Sequence, residues 1–205
     1  MQISQYFING DIKGAISFRP KICASKRVWP ISTTNAQTNN FYFKSYGGKN
    51  MKYTGTLIAV KDMEKSKQFY HDVLGMEVAA DFGENVTLTG GLVLQTLETW
   101  QSFIHTSGVT LKSNSGELYF ETEDIDAFYK HLKSFDILYV HKLHEHPWGQ
   151  RVVCFYDPDG HIIEAAEKLD AVIARFVAQG LSPKETADRM DIPLDFVISS
   201  LNGSK

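Results

Sequence analysis

The chain has 205 residues, enough for one sizeable domain or two small ones, and its 43% hydrophobic content is ordinary for a soluble globular protein. Its net charge of −3 combines a basic segment, residues 1 to 50, with an acidic remainder that has no stripe of Lys and Arg. Because phosphates require clustered cations, this distribution excludes nucleic acid as an expected partner.

Cysteine usage and hydropathy predict the compartment. The only cysteines, Cys23 and Cys154, lie too far apart in sequence for a disulfide framework or a thiol metal motif. No apolar run approaches the roughly 18 residues of a membrane span, and the N-terminus lacks the pattern of a secretory signal. We therefore expect a cytoplasmic protein with no membrane partner.

Residues 1 to 50 show no sustained period of a helix or a strand, and residues 32 to 40 are polar and low in complexity. We predict a poorly ordered leader, followed by a domain that starts near Met51. The basic composition is also typical of an organelle transit peptide, but the first ten residues contain no Arg or Lys. An upstream extension is the preferred interpretation.

The first module begins with a β-prone run, residues 55 to 60. Asp62 then has the position of a helix N-cap, and Gly75 that of the glycine that ends the helix after Leu74. Three short strands are predicted next, near residues 76 to 80, 85 to 89 and 92 to 98, with glycines between them. The resulting unit is strand, helix and three strands.

The same order returns after a linker near residues 107 to 115. A strand over residues 117 to 121 is followed by Asp124 as the N-cap of a second helix. Strands are then predicted near residues 137 to 140, 151 to 156 and 161 to 166.

The two helix-opening aspartates reveal an internal repeat. Asp62 and Asp124 lie 62 residues apart, and each precedes a helix with a Phe-Tyr pair. One four-stranded module leaves a sheet face uncovered and needs a partner. The sequence therefore predicts an α+β fold in which two βαβββ modules, within residues 51 to 168, form a cupped, curved sheet around a cavity.

The tail, residues 169 to 205, is predicted to be helical. Ser182, Pro183 and Glu185 form a capping box with a first-turn proline, and Pro193 opens a last short helix. Short helices separated by Gly and Pro breaks suggest a helix-turn-helix, but the helix in the position of a recognition helix contains Asp195 and no Lys or Arg. We expect the tail to pack against the sheet domain or a second subunit, and we expect a homodimer.

Two segments carry a resemblance to a known family. The helix between Val60 and Met76 and the turn and strand from Asp157 to Glu164, with its Asp-Pro-Asp-Gly sequence, resemble the opening and closing elements of one superfamily. This is the glyoxalase, bleomycin-resistance and extradiol-dioxygenase superfamily, also called vicinal oxygen chelate. The resemblance covers residues 54 to 168.

In that superfamily a divalent metal is held by four side chains, one from the first and one from the last strand of each module, and it chelates neighbouring oxygens of the substrate. The resemblance places these positions at Gly55, Gln95, Glu117 and Glu164, of which Gly55 has no side chain. An oxygen-rich set of this kind favours Mg or Mn over Zn, with Ni a further candidate.

Glu117 and Glu164 have a second interpretation without metal. Two carboxylates that face one cavity repel each other, which raises one pKa and creates a general base. A third interpretation makes them solvated acids at the cavity mouth, hydrogen-bonded to Tyr119 or Arg151. Residue types alone do not choose among these three.

Residues 141 to 151 contain three histidines, but Pro147 and Gly149 predict a loop. The spacing does not favour a zinc site. We expect the loop to cover the pocket, with Trp148 as an apolar wall and His144 or His146 as hydrogen-bonding groups; simple packing of Trp148 is the alternative.

Three further residues are predicted to bind substrate. Tyr119 alternates inward with Glu117, and Arg151 has the chemistry to bind a carboxylate, unless it pairs with Glu117 or Asp157. Trp100 closes the pocket from the first module or anchors the linker.

The predicted function is that of an enzyme with lyase, isomerase or ring-opening dioxygenase chemistry on a small oxygenated metabolite, with Glu164 and Glu117 as metal ligands or acid and base. The missing first ligand disfavours lactoylglutathione lyase activity. The alternative is a non-catalytic protein that binds an aromatic or cationic compound, as bleomycin-resistance members do. A third interpretation is a dimeric interaction module.

Overall fold

Residues 51 to 203 are described by a computed structural model. The leader predicted for residues 1 to 50 lies outside these described residues. Of these, residues 55 to 203 belong to one compact unit.

The residues that cap the first helix define where it begins and ends in the first module. The Asp62 carboxylate accepts a hydrogen bond from Lys65 N at 3.0 Å, and Gly75 ends the helix with a φ of 67°. Both predicted caps are confirmed. The elements are β1 (Thr56–Val60), α1 (Met63–Leu74), β2 (Val78–Asp81), β3 (Asn85–Leu88) and β4 (Leu92–Thr96).

The link between the modules contains a helix that was not predicted from the sequence. α2 (Leu97–Phe103) follows β4 directly, where a strand was predicted to continue to residue 98. It begins at Thr96 without a side-chain capping bond, so the usual sequence signal of a helix start is missing.

The second module repeats the first. Asp124 accepts a hydrogen bond from Ala127 N at 2.9 Å and opens the second helix as predicted. The elements are β5 (Glu117–Thr122), α3 (Ile125–Leu132), β6 (Tyr139–Glu145), β7 (Arg151–Tyr156) and β8 (Ile162–Glu167).

β6 corrects the predicted loop over residues 141 to 151. The strand continues to Glu145, so His141 and His144 belong to the sheet and pair with Cys154 and Val152. Two register irregularities accompany this pairing. Backbone pairing with β7 therefore extends the strand, and Pro147 and Gly149 mark only the turn that joins the two strands.

The strands form two four-stranded sheets, in the orders β1-β4-β3-β2 and β5-β8-β7-β6. The β1–β4 and β5–β8 pairs are parallel and the other pairs are antiparallel. The predicted pair of βαβββ modules is confirmed. Within residues 51 to 203 each module contributes one of these two hydrogen-bonded sheets.

A single hydrophobic core joins the modules. Ile58 and Val60 of the first sheet and Val153 and Phe155 of the second belong to one buried cluster. Across the modules, the buried Tyr70 hydroxyl donates to an Asp157 carboxylate oxygen at 2.8 Å. Because side chains alternate along a strand, the neighbours of these core residues lie on the opposite sheet face.

The tail consists of α4 (Leu169–Ala178), α5 (Pro183–Met190) and α6 (Leu194–Gly203). The capping box of Ser182 and Glu185 is present as predicted. Val172 and Val197 are fully buried among these helices. In the part of the chain that the structure describes, no helix has both the length and the apolar character needed to cross a membrane.

Candidate functional site

A row of polar residues crosses the second sheet on the face opposite the core. Tyr119 pairs with Glu164, Glu164 with Cys154, and Cys154 with His141, so one residue from each strand stands in line. Glu117 precedes Tyr119 by two residues on β5 and therefore shares its face. We call these five residues the polar face.

Three members of the polar face place donor atoms close together. One carboxylate oxygen each from Glu117 and Glu164 and the Cys154 sulfur all lie within 4.8 Å of one another. The Cys154 thiol also donates to Glu164 Oε2 at 3.5 Å. Glu164 and Cys154 are buried, whereas Glu117 is exposed. The structure thus brings together the two predicted carboxylates.

Electrostatics at this cluster favours protons or a cation. Partial desolvation raises the pKa of Glu117, and the neighbouring Glu164 charge raises it further. Burial also raises the pKa of the Cys154 thiol to about 12, again with a contribution from Glu164. The thiol is therefore protonated at neutral pH unless a positive charge approaches it.

Aromatic rings extend the polar face along β6 and the turn after it. The ring centroids of His141 and His144 lie 6.1 Å apart, and those of His144 and His146 lie 5.6 Å apart. His146 stacks on Trp148 at 4.2 Å with an interplanar angle of 16°. Burial lowers the pKa of His146, which favours a neutral ring at physiological pH.

The three histidines do not form the metal group of the described residues, which contains Glu117, Cys154 and Glu164 instead.

Gln150 connects this turn to the polar face. Its buried side chain accepts a hydrogen bond from Trp148 Nε1 at 3.3 Å and donates to the Tyr119 hydroxyl at 3.5 Å and to the Glu167 carbonyl at 2.8 Å. Burial is also the main cause that raises the pKa of Tyr119. Neither Gln150 nor Cys154 was predicted as a site residue from the sequence. Strand alternation from Val153 and Phe155 could have indicated Cys154.

Arg151 lies in a different environment from the one predicted. Its guanidinium pairs with Glu167 and with Asp126, each at 2.8 Å, rather than with Glu117 or Asp157. Its charge is therefore balanced by two carboxylates of the protein.

The two ligand positions predicted in the first module, Gly55 and Gln95, have different environments. A Cβ on Gly55 would collide with the carbonyl oxygen of Gly91, so a side chain cannot be accommodated there without a backbone shift. The Gln95 amide donates to the Glu84 carbonyl and to Thr99 and accepts from Asn85 at 2.7 Å. Its amide is thus bonded within its own module.

Strand register explains the position of Gln95. Gln95 pairs with Ala59, three residues before Asp62, whereas Glu164 pairs with Tyr119, five residues before Asp124. The counterpart of Glu164 by register is therefore Val93, which pairs with Leu57. The prediction counted residues along the chain and therefore selected Gln95, which lies two residues after Val93.

Trp100, the remaining predicted residue, is half-buried on α2, which packs on β1 and β4 of the first module. Next to Glu117 a cavity of about 240 Å³ opens between β1, the linker and the starts of β5 and β8. His161, whose Nδ1 lies 2.8 Å from an Asp157 oxygen, lines the same space.

The donor set tests whether a metal fits. Of the four ligand positions expected from the superfamily, Gly55 has no side chain and the Gln95 amide is already hydrogen-bonded within its module. Glu117, Cys154 and Glu164 instead form a group of three potential ligands from the second module. Three protein ligands leave coordination positions for water or substrate, as in catalytic metal sites. The mixture of thiol and carboxylates suits Mn, Ni or Zn better than Mg. The residues therefore fit a divalent ion.

Sequence and structure comparisons assign the chain to a family. Residues 53 to 170 match the glyoxalase-like domain, and the chain belongs to that family. Its predicted membership of the glyoxalase, bleomycin-resistance and dioxygenase superfamily is confirmed.

Several known proteins are similar to this chain in sequence or in fold. The uncharacterized protein YraH of Bacillus subtilis (strain 168) is 30% identical over 128 residues, which cover 58% of this chain and all of YraH. A crystal structure of a protein of unknown function from Agrobacterium tumefaciens str. C58 is 34% identical with a TM-score of 0.54, and the match covers 63% of this chain and 99% of that one. A glyoxalase-related enzyme from Fulvimarina pelagi, 22% identical with a TM-score of 0.51 over 58% and 88% of the two chains, shares the fold.

Proposed function

We propose that the polar face binds a divalent cation through Glu117, Cys154 and Glu164, and that the chain is an enzyme acting on a small oxygenated molecule. Lyase, isomerase or dioxygenase chemistry would fit this arrangement. The observation that supports the proposal is the approach of three donor atoms to within 4.8 Å of one another on one sheet face.

The surrounding residues have roles that follow from their contacts. A bound cation would polarise oxygens of the ligand as a Lewis acid. Tyr119 and His141 flank the donors in the same row and can orient the ligand by hydrogen bonds. The stacked His146 and Trp148 rings offer an apolar wall. Without a cation, the raised pKa of Glu117 makes it the candidate base.

The charge balance favours a second candidate function. No member of the polar face is Lys or Arg, and the Arg151 charge is taken by Glu167 and Asp126. Two carboxylates beside stacked rings suit an aromatic or cationic compound. In this alternative the protein sequesters or senses that compound without catalysis.

We also propose a homodimer and a cytoplasmic location, as predicted from the sequence. The dimer is not required to complete the three-donor group, since Glu117, Cys154 and Glu164 all come from one module of one chain.

Metal binding is the first testable prediction. Purified protein should contain a divalent ion by elemental analysis, or show a higher melting temperature with Mn, Ni, Zn or Mg, because an ion that binds only the folded state stabilises it. Glu164→Gln and Cys154→Ser should each weaken the affinity by at least about tenfold, since even second-shell changes have effects of that size.

Glu121→Gln is the matched control, because Glu121 lies two residues after Tyr119 on the same face of β5 but is not part of the three-donor group. Its ion affinity should equal that of the wild type. Absence of bound metal together with no thermal shift for any of the four ions would contradict the metal proposal. A shift with aromatic cations under those conditions would favour the binding protein.

A further inference from the structure

The tail contacts the turn that carries the aromatic wall. Arg175 on α4 donates a hydrogen bond from Nη2 to the Gly149 carbonyl oxygen. The Phe176 ring lies directly against Gly149, at the position that a Cβ would occupy. Gly149 is buried under these contacts.

Ion pairs attach α4 to β6, the strand that leads into this turn, and to β8. Arg175 Nη2 bonds Glu167 Oε2 at 3.0 Å, and its Nη1 lies 3.5 Å from Glu145. Arg189 on α5 also pairs with Glu145 at 3.5 Å. The guanidinium groups of Arg175 and Arg189 lie 5.0 and 4.7 Å from the Phe176 ring centroid. The turn is therefore attached to two tail helices.

The turn leaves its aromatic residues little freedom. Gly149 N donates to the His146 carbonyl at 2.8 Å, and His146 N donates to the Gln150 carbonyl at 2.9 Å. Trp148 lies between these bonds, stacked on His146 and bonded to Gln150. A displacement of Gly149 would therefore move the stack that borders the polar face.

The residues that hold the turn lie outside the family domain. The match to the glyoxalase-like domain ends at residue 170, whereas Arg175, Phe176 and Arg189 follow it. The family domain thus supplies the donors of the polar face, and the tail supplies contacts that fix the neighbouring wall.

We propose that the C-terminal helices are part of the binding site, with Arg175 and Phe176 as positioning residues that set the location of Trp148 and His146. The functional meaning of this wall rests on the proposed function. A tail that merely covered the sheet would require neither the hydrogen bond from Arg175 to a turn carbonyl nor a glycine beneath Phe176.

The test uses the full chain labelled with 5-fluorotryptophan and observed by fluorine NMR. The chain has three tryptophans, and Trp148→Phe identifies the resonance of Trp148. Arg175→Ala and Phe176→Ala should shift or broaden the Trp148 resonance while leaving the Trp100 resonance in place. The Mn²⁺ affinity should stay within about twofold of the wild type, because Arg175 contacts Glu145, Gly149 and Glu167, none of which is one of the three donors.

Val197→Ala is the control for stability alone. Val197 is fully buried on α6, which packs on α4 and α5, so this variant should lower the melting temperature and leave the Trp148 resonance unchanged. An unchanged Trp148 resonance in Arg175→Ala, or an equal shift in Val197→Ala, would overturn the inference. If the wild type fails to bind Mn²⁺, the metal proposal fails, but the resonance still tests the tail.

Discussion

At the scale of single residues, two glycines permit close backbone contacts. Gly55 lies against the carbonyl oxygen of Gly91, and Gly149 lies against the Phe176 ring. Gly149 also has a φ of 94°, a value that side-chain-bearing residues rarely adopt. Gly55 therefore supplies no side-chain ligand at its own position, and Gly149 allows the tail to reach the turn.

Gly149→Ala should destabilise the protein through both strain and collision. A left-handed backbone costs an alanine about 1 to 2 kcal/mol, and overpacking adds about 1 to 3 kcal/mol. The free energy of unfolding, measured with urea, should fall by the sum. Gly180→Ala is a close control, because Gly180 has a φ of 95° but no atom within 4 Å of a built Cβ. Equal losses in the two variants would contradict the contact with Phe176.

At the scale of secondary-structure elements, Glu167 connects the end of β8 to its neighbours. Its side chain is 3% exposed and accepts hydrogen bonds from Arg151 on β7 and Arg175 on α4. Burial alone would raise the pKa of Glu167, but the bonds from the two arginines outweigh it and lower the pKa. The carboxylate is therefore charged at neutral pH and balances two cations.

Glu167→Gln should leave both arginines without their shared counter-ion. Removing one partner of a buried pair costs about 3 to 5 kcal/mol, so urea unfolding should show a loss of that order. Glu123→Gln is the control, since Glu123 is 85% exposed and pairs only at the surface with Lys168. Its effect should stay below about 1 kcal/mol. Similar small losses in both variants would contradict a buried role for Glu167.

At the scale of the whole molecule, Asp157 connects the two modules. It accepts hydrogen bonds from Tyr70 on α1 and from the ring and backbone nitrogens of His161. Burial acts to raise the pKa of Asp157, but these bonds prevail and the pKa lies below its ordinary value of 3.8. Because the folded state favours the charged form, Asp157 stabilises the fold above pH 3.8, and this stabilisation is lost as the pH falls through the lowered pKa.

Asp157→Asn should therefore change the pH dependence of stability. At pH 7 the variant should unfold more easily by about 1 to 3 kcal/mol, because a charged acceptor is lost. The gap to the wild type should narrow as the pH falls below 3.8, where the wild-type carboxylate gains its proton. Urea unfolding at several pH values between 7 and 3 measures this gap. Parallel curves would contradict the role assigned to the charge.

Local signals in the sequence were sufficient for the elements and their repetition. The caps at Asp62 and Asp124, the helix end at Gly75 and the capping box at Ser182 were all predicted and are present. Each depends on hydrogen bonds between residues at most five positions apart. β6 and α2 were misjudged because one extends through long-range strand pairing and the other begins without a side-chain cap.

The amino-acid sequence by itself determined the two βαβββ modules, the helical tail and the two carboxylates of the polar face, because periodicity, capping and alternation act over a few residues. Only the tertiary structure decided that Cys154 joins those carboxylates, that Arg151 pairs with Glu167, and that α4 holds the turn of Trp148. These contacts depend on strand register and helix packing between distant segments, which no local pattern specifies.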